Sequence, residues 1–358
     1  MKPLVVVSLV LGVMACRSDT PLSREATGPA VSLVDSVVLS ESGAKYIAQL
    51  GGVVEDGEGR YLITDMAQSR VVRFAPDGQW IDVVGSKGDG PGEFRGPTQA
   101  VPMTGDSFAV GDDQLRRLTV FDAAGDRVRD VGYPGIIRNV VSLGNGIWFG
   151  GVEQGSETGI TRWDGDSTFQ HLFPFPASYR ESPPLRGIFT IVALDAWADT
   201  LVAGYSGSNE IVLLDTTGHD LDRLDLPTAR RKGVTERGLA LIAAPETPFP
   251  DRFSAMSGLF QLHRLSSSQI AAVHMDQVLD GNAIESVVWL SLISSDRKHA
   301  CVDGSVPVHG GGHPYIGFEG DTLLVTEQEA QDDPVRTVIH RYLVSAAGCE
   351  WVEVSAER

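Results

Sequence analysis

Residues Tyr61–Gly85 read "YLITDMAQSRVVRFAPDGQWIDVVG", and 47 residues further on Phe108–Gly132 read "FAVGDDQLRRLTVFDAAGDRVRDVG". The two align without a gap. Asp65 falls on Asp112, Phe74 on Phe121, Gly78 on Gly125 and Gly85 on Gly132. Apolar positions coincide as well, Ile63 with Val110 and Val71 with Leu118. Each copy is a series of short apolar and β-branched runs cut by Gly- and Asp-rich turns, which is the pattern of strands and hairpins.

Fainter copies follow. Asp199–Pro227 keeps Leu214 and Gly218 at the spacing of Phe74 and Gly78, with Tyr205 where the aspartate would stand. Stretches starting at Gly146, Gln269 and Asp321 repeat the order of strand, polar turn and strand. Units of 40–50 residues holding about four strands are the signature of a β-propeller. Six are counted, at about 47–85, 86–132, 133–176, 177–227, 228–309 and 310–358. The expected fold is all-β, a six-bladed β-propeller with four antiparallel strands per blade.

The joint between the first two units, "GDGPGEFRGPTQAV", followed by "DSFAVGDDQLRRLTVFDAAGDRV", resembles the NHL-type repeat of six-bladed propellers, in particular bacterial six-bladed propeller lipoproteins. The resemblance is carried by the first two units. It implies that the strand-like "VSLVDSVVLSES" (Val31–Ser42) pairs beside the C-terminal strands and closes the ring. Closure removes the free sheet edges that invite aggregation.

The N-terminus "MKPLVVVSLVLGVMAC" has one basic residue, then an apolar run from Leu4 to Ala15. The run is too short to span a bilayer and suits a signal-peptide core. Ala15 before Cys16 resembles a bacterial lipoprotein signal, in which the cysteine is lipidated; an ordinary secretory signal is the competing reading. The expected domains are a signal peptide at 1–15, a flexible tether at 16–30 and a single propeller at 31–358. The expected location is the bacterial cell envelope, on the periplasmic or extracellular side, with membrane contact through the lipid alone. Cys301 and Cys349 remain, an even pair in an exported chain that suggests a disulfide, with two free buried thiols as the alternative.

A formal charge of −18 argues against nucleic acid, which needs a concentrated basic surface. The glycine cluster Gly88, Gly90 and Gly92 is not a phosphate loop: Lys87 precedes it, Pro91 interrupts it, and a strand rather than a helix follows. "VHGGGHPY" (Val308–Tyr315) has no nucleophile-elbow partner elsewhere and reads as an inter-blade loop. Asp65 and Asp112 end the second strand of their units, where a carboxylate accepts backbone N–H groups. Loop residues Glu93, Arg95, His313 and Tyr315 are the candidates for binding on one face.

The leading expectation for function is non-catalytic recognition of a protein or small-molecule ligand by that face, without a cofactor. Some six-bladed propellers are metal-dependent lactonases, hydrolases or lyases. The alternative is therefore an axial calcium or zinc site, with His263, His274 and His313 as the candidate ligands. A structural subunit of an envelope assembly is a further alternative.

Overall fold

Gly78, Gly125 and Gly218 sit in the turn between the third and fourth strands of their units, with φ of +83°, +90° and +87°. That left-handed conformation costs glycine nothing and strains any other residue, which is why the repeat keeps it. The computed structural model describes residues 28–354 apart from 134, 136, 138, 145, 152–155, 165–168, 281–282, 310–312 and 330–334.

The chain begins with β1 (Ala30–Val38). Blade one follows as β2 (Leu50–Glu55), β3 (Tyr61–Asp65), β4 (Arg70–Phe74) and β5 (Trp80–Val84). A short parallel pair, β6 (Ser86–Lys87) and β7 (Glu93–Phe94), leads to blade two: β8 (Pro97–Pro102), β9 (Phe108–Asp112), β10 (Arg117–Phe121) and β11 (Arg127–Gly132). Blade three is β12 (Asn139–Leu143), β13 (Gly146–Gly150), β14 (Thr158–Trp163) and β15 (Phe169–Pro174). Two short helices, α1 (Ala177–Glu181) and α2 (Pro183–Ile188), precede blade four: β16 (Val192–Trp197), β17 (Thr200–Tyr205), β18 (Glu210–Asp215) and β19 (Asp220–Asp225). An insertion with α3 (Glu236–Ala243) and α4 (Phe249–Phe253) precedes blade five: β20 (Ser257–Arg264), β21 (Ile270–Asp280), β22 (Ala283–Ile293) and β23 (His299–Val306). Blade six is β24 (Tyr315–Glu319), β25 (Thr322–Glu329) and β26 (Arg336–Ser345), completed by β1; β27 (Val352–Glu353) ends the chain.

Among the described residues the strands thus form six antiparallel blades, and β1 pairs with β26 from Ala30↔Ser345 to Val38↔Val338. First strands of successive blades contact one another all the way round, β24 meeting β2 at the join. Apolar side chains alternate out of each blade into the next, giving an apolar core in each gap. Phe74, Ile63 and Leu324 fill the gap between blades six and one, and Phe94, Phe108 and Phe121 that between one and two. Burying a side chain of this size stabilises by about 1.5–3 kcal/mol, so the ring is held by its blade interfaces.

At the start of the described chain Pro29 is buried, and a Cβ on Gly28 would lie 2.4 Å from Gly304 N in blade five. The C-terminal segment leaves blade six. β27 pairs with β23 of blade five, and the Cys301–Cys349 disulfide fastens that crossing, with Cα atoms 5.7 Å apart. Strand order alone could not show the return, because the two residues of β27 carry no period.

Candidate functional site

In an antiparallel blade the second strand ends where the first begins, so inter-blade connections and second-to-third loops share one face, here called the loop face. Asp65 stands at that face and accepts N–H bonds from Ala48 and Gln49 at 3.2 Å each, and from Gln68 at 3.3 Å. Asp112 accepts from Arg95 at 2.7 Å, Gly96 at 3.1 Å, and Gln114 and Leu115 at 2.9 Å. Asp276 in blade five takes the Ser257 hydroxyl at 2.5 Å, the Trp289 indole at 2.8 Å and the Lys232 N–H at 3.2 Å. Glu327 in blade six takes the His309 N–H, at 3.0 and 2.9 Å from its two oxygens. All four are buried. A buried N–H needs an acceptor, and a carboxylate makes the stronger bond. These residues pin each arriving connection to its blade.

The joint from Gly85 to Gly96 is equally self-contained. Gly85 has φ +75°, and a Cβ there would meet the Phe94 ring at 2.3 Å. The Glu93 carboxylate accepts the Gly90 N–H at 2.7 Å, and Arg117 donates to the carbonyls of Asp89, Gly90 and Glu93. Arg95 is ion-paired with Asp89. Of the expected binding residues, Glu93 and Arg95 therefore serve the joint, between blades one and two.

His313 and Tyr315 go elsewhere. They line a cavity of about 260 Å³ on the propeller axis to which every blade contributes, with Gly52, Gln99, Asn139, Ile191 and Phe260 from the other five. Among the described residues its lining has no Asp, Glu, Lys or Arg. Burial holds His313 below the ordinary histidine pKa, so it is neutral at pH 7, with its ring 5.3 Å from that of Phe260. The Gln99 Oε1 atom is buried and has no hydrogen-bond partner among the described residues. A larger cleft of about 670 Å³ lies beside α3 and α4, but it is more open to solvent.

The three candidate histidines do not converge. His263 is at the opposite face, between Asp195 Oδ2 at 3.2 Å and the Gly320 carbonyl at 2.9 Å. His274 is buried within blade five and pushed well below the usual histidine pKa, first by burial and then by the Arg231 charge. Only His313 of the three reaches the axial cavity. An axial metal of the kind some six-bladed propellers hold thus meets a donor set that does not fit, with one imidazole and no carboxylate among the described lining residues.

A different group could hold an ion. Glu327, Glu329 and His340 place one ligand atom each within 4.8 Å of one another. Glu327 and Glu329 are two apart on β25 and so share a face; His340 on β26 points to the same side. The sequence signal was present but weak: "TE" at Thr326–Glu327 copies "TD" at Thr64–Asp65, and Glu329 is the addition. His340 has no local motif; register alone brings it there.

Comparisons with known proteins agree with this architecture. A family model described as a 6-bladed beta-propeller matches residues 46–141, which take in blades one and two. No curated protein matches the chain in sequence. Among solved structures, a member of the DUF4221 family from Bacteroides vulgatus aligns at 10% identity and TM-score 0.62, covering 89% of this chain and 99% of its own. A Bacteroides fragilis protein named for export aligns at 10% identity and TM-score 0.59, covering 87% and 95%. Virginiamycin B lyase from Staphylococcus aureus aligns at 12% identity and TM-score 0.52, covering 88% and 99%. At these identities the likeness is one of fold. The chain is a six-bladed β-propeller.

Proposed function

We propose that this chain is an exported, lipid-anchored propeller of the NHL-repeat type that binds a small uncharged ligand in its axial cavity. The observation that carries the reading is Gln99 Oε1, a buried acceptor without a partner among the described residues, in a cavity whose described lining is neutral. An unsatisfied buried acceptor costs about 1–3 kcal/mol, which a ligand donor returns on binding. The volume, near the lower end of ligand sites at about 300 Å³, favours a molecule of metabolite size over a peptide. The aromatic faces of Phe260 and Tyr315 supply apolar contact, and the neutral lining among the described residues disfavours ionic ligands.

The test is a thermal-shift screen of uncharged small molecules against the wild type and Gln99→Met, a substitution of similar volume without the acceptor. Ligands that raise the wild-type Tm should lose at least tenfold in affinity in the variant. Hits of equal affinity in both would refute the axial site.

The anchor is the second half of the reading. Cys16 lies outside the described residues, and the lipoprotein-like "VMAC" sequence supports its lipidation. Several acyl chains together anchor stably where one does not. Cys16→Ala should move the protein from the membrane to the soluble fraction; a variant that stays membrane-bound contradicts the anchor.

A second reading, a metal-dependent hydrolase or lyase, is favoured by one observation, the Glu327, Glu329 and His340 group. Its chemistry would run on blade six instead of the axis.

A further inference from the structure

His340 is 8% exposed, and its two ring nitrogens are treated differently. Nδ1 is 2.9 Å from the Ser36 hydroxyl on β1. Nε2 is buried with no hydrogen-bond partner among the described residues, and it is aimed between Glu327 Oε2 at 3.6 Å and Glu329 Oε1 at 3.5 Å. Those separations are too long for hydrogen bonds. With Nδ1 donating to Ser36 Oγ, the Nε2 lone pair and two carboxylates are all acceptors, and a cation between them satisfies the group. Glu327 differs here from its counterparts. Asp65, Asp112 and Asp276 each take at least three donors, whereas among the described residues Glu327 takes the His309 N–H alone.

We propose that Glu327, Glu329 and His340 form a binding site for a zinc-class divalent transition metal, in blade six beside the strand that closes the ring. Tetrahedral zinc with bonds of about 2.0–2.2 Å to nitrogen and oxygen sets its ligand atoms about 3.3–3.6 Å apart. The two separations from Nε2, 3.6 and 3.5 Å, match that edge. Calcium takes six to eight oxygens at about 2.3–2.6 Å and has no use for an imidazole. Three protein ligands leave a fourth position for water or an exogenous group, the arrangement of zinc sites that keep an open position. Ser36 is the outer partner that orients the imidazole and leaves Nε2 for the ion. Because Ser36 belongs to β1 and His340 to β26, the metal also ties the closing strand to its neighbour.

The inference is independent of the axial ligand; its failure would remove the second functional reading and leave the first standing. The experiment is isothermal titration of the chelator-treated full chain with zinc alone and, separately, with calcium alone. Zinc should bind at one per chain, calcium should give no heat, and zinc should slow amide exchange along β1. Glu329→Gln, at a half-buried position, should weaken zinc at least tenfold while keeping the wild-type circular dichroism spectrum. Ser36→Ala should weaken it about 10–100-fold. Absence of zinc binding to the wild type would overturn the proposal. Undiminished binding in Glu329→Gln and His340→Gln would overturn it too, by placing the metal elsewhere.

Discussion

At the scale of single residues, the polar groups at the two faces have opposite characters. The loop face consumes its carboxylates: Asp65 and Asp112 are buried and bonded to several N–H groups. At the other face, Glu55 at the end of β2 shares a hydrogen bond with Glu319 at the end of β24. Burial first, and that shared proton second, raise the Glu55 pKa from 4.5 to about 7. The folded state therefore holds this proton more tightly than the unfolded chain. The resulting stabilisation is complete below about pH 4.5 and is lost as pH rises to about 7. Glu55→Gln, which mimics the protonated form, should flatten the decline of Tm between pH 5 and pH 8 and equal or exceed the wild type at pH 8. A variant with the wild-type slope would contradict this assignment. The repeated Asp65 and Asp112 were legible because repetition marks a structural task. Glu327 was faintly legible as a copy of Asp65, but its grouping with Glu329 and His340 was not, because a cluster assembled by cross-strand register leaves no linear motif.

At the scale of elements, the sequence period located the blades, and the exceptions lie where period is absent. The insertion before blade five is held by side-chain chemistry. Asp303 on β23 accepts the N–H groups of Ala229 and Arg230 at 2.6 and 2.7 Å and pairs with the fully buried Arg231. No spacing rule connects residues more than 70 apart, as these are. The C-terminal crossing is a second such case, closed by a disulfide between residues separated by 48 positions. On the chain-entropy estimate a loop of that length stabilises by about 4 kcal/mol. Reduction, or the double variant Cys301→Ala with Cys349→Ala, should lower the Tm by roughly 6 °C, since an unfolding entropy of about 2.1 cal/mol/K per residue makes each kcal/mol worth about 1.5 °C in a chain of this size. It should also increase amide exchange in residues 346–354 ahead of the rest. An unchanged Tm under reducing conditions would contradict a stabilising bridge.

At the scale of the whole molecule, the ring has two fastenings near one place: β1 laid along β26, and β27 laid along β23. The first was legible because Val31–Ser42 precedes a complete first blade and has a strand's composition. The axial cavity was not, since its lining comes from all six blades and only closure brings those residues together. His313 and Tyr315 were named from the sequence for their loop; that they face a neutral axial cavity follows from where β24 begins. Soaking crystals of the wild-type protein with the strongest uncharged ligand from the thermal-shift screen tests the central claim most directly. Density for the ligand on the axis, with a donor within hydrogen-bond distance of Gln99 Oε1, is the expected result. Ligand density in the cleft beside α3 and α4, with the axis unchanged, would contradict it.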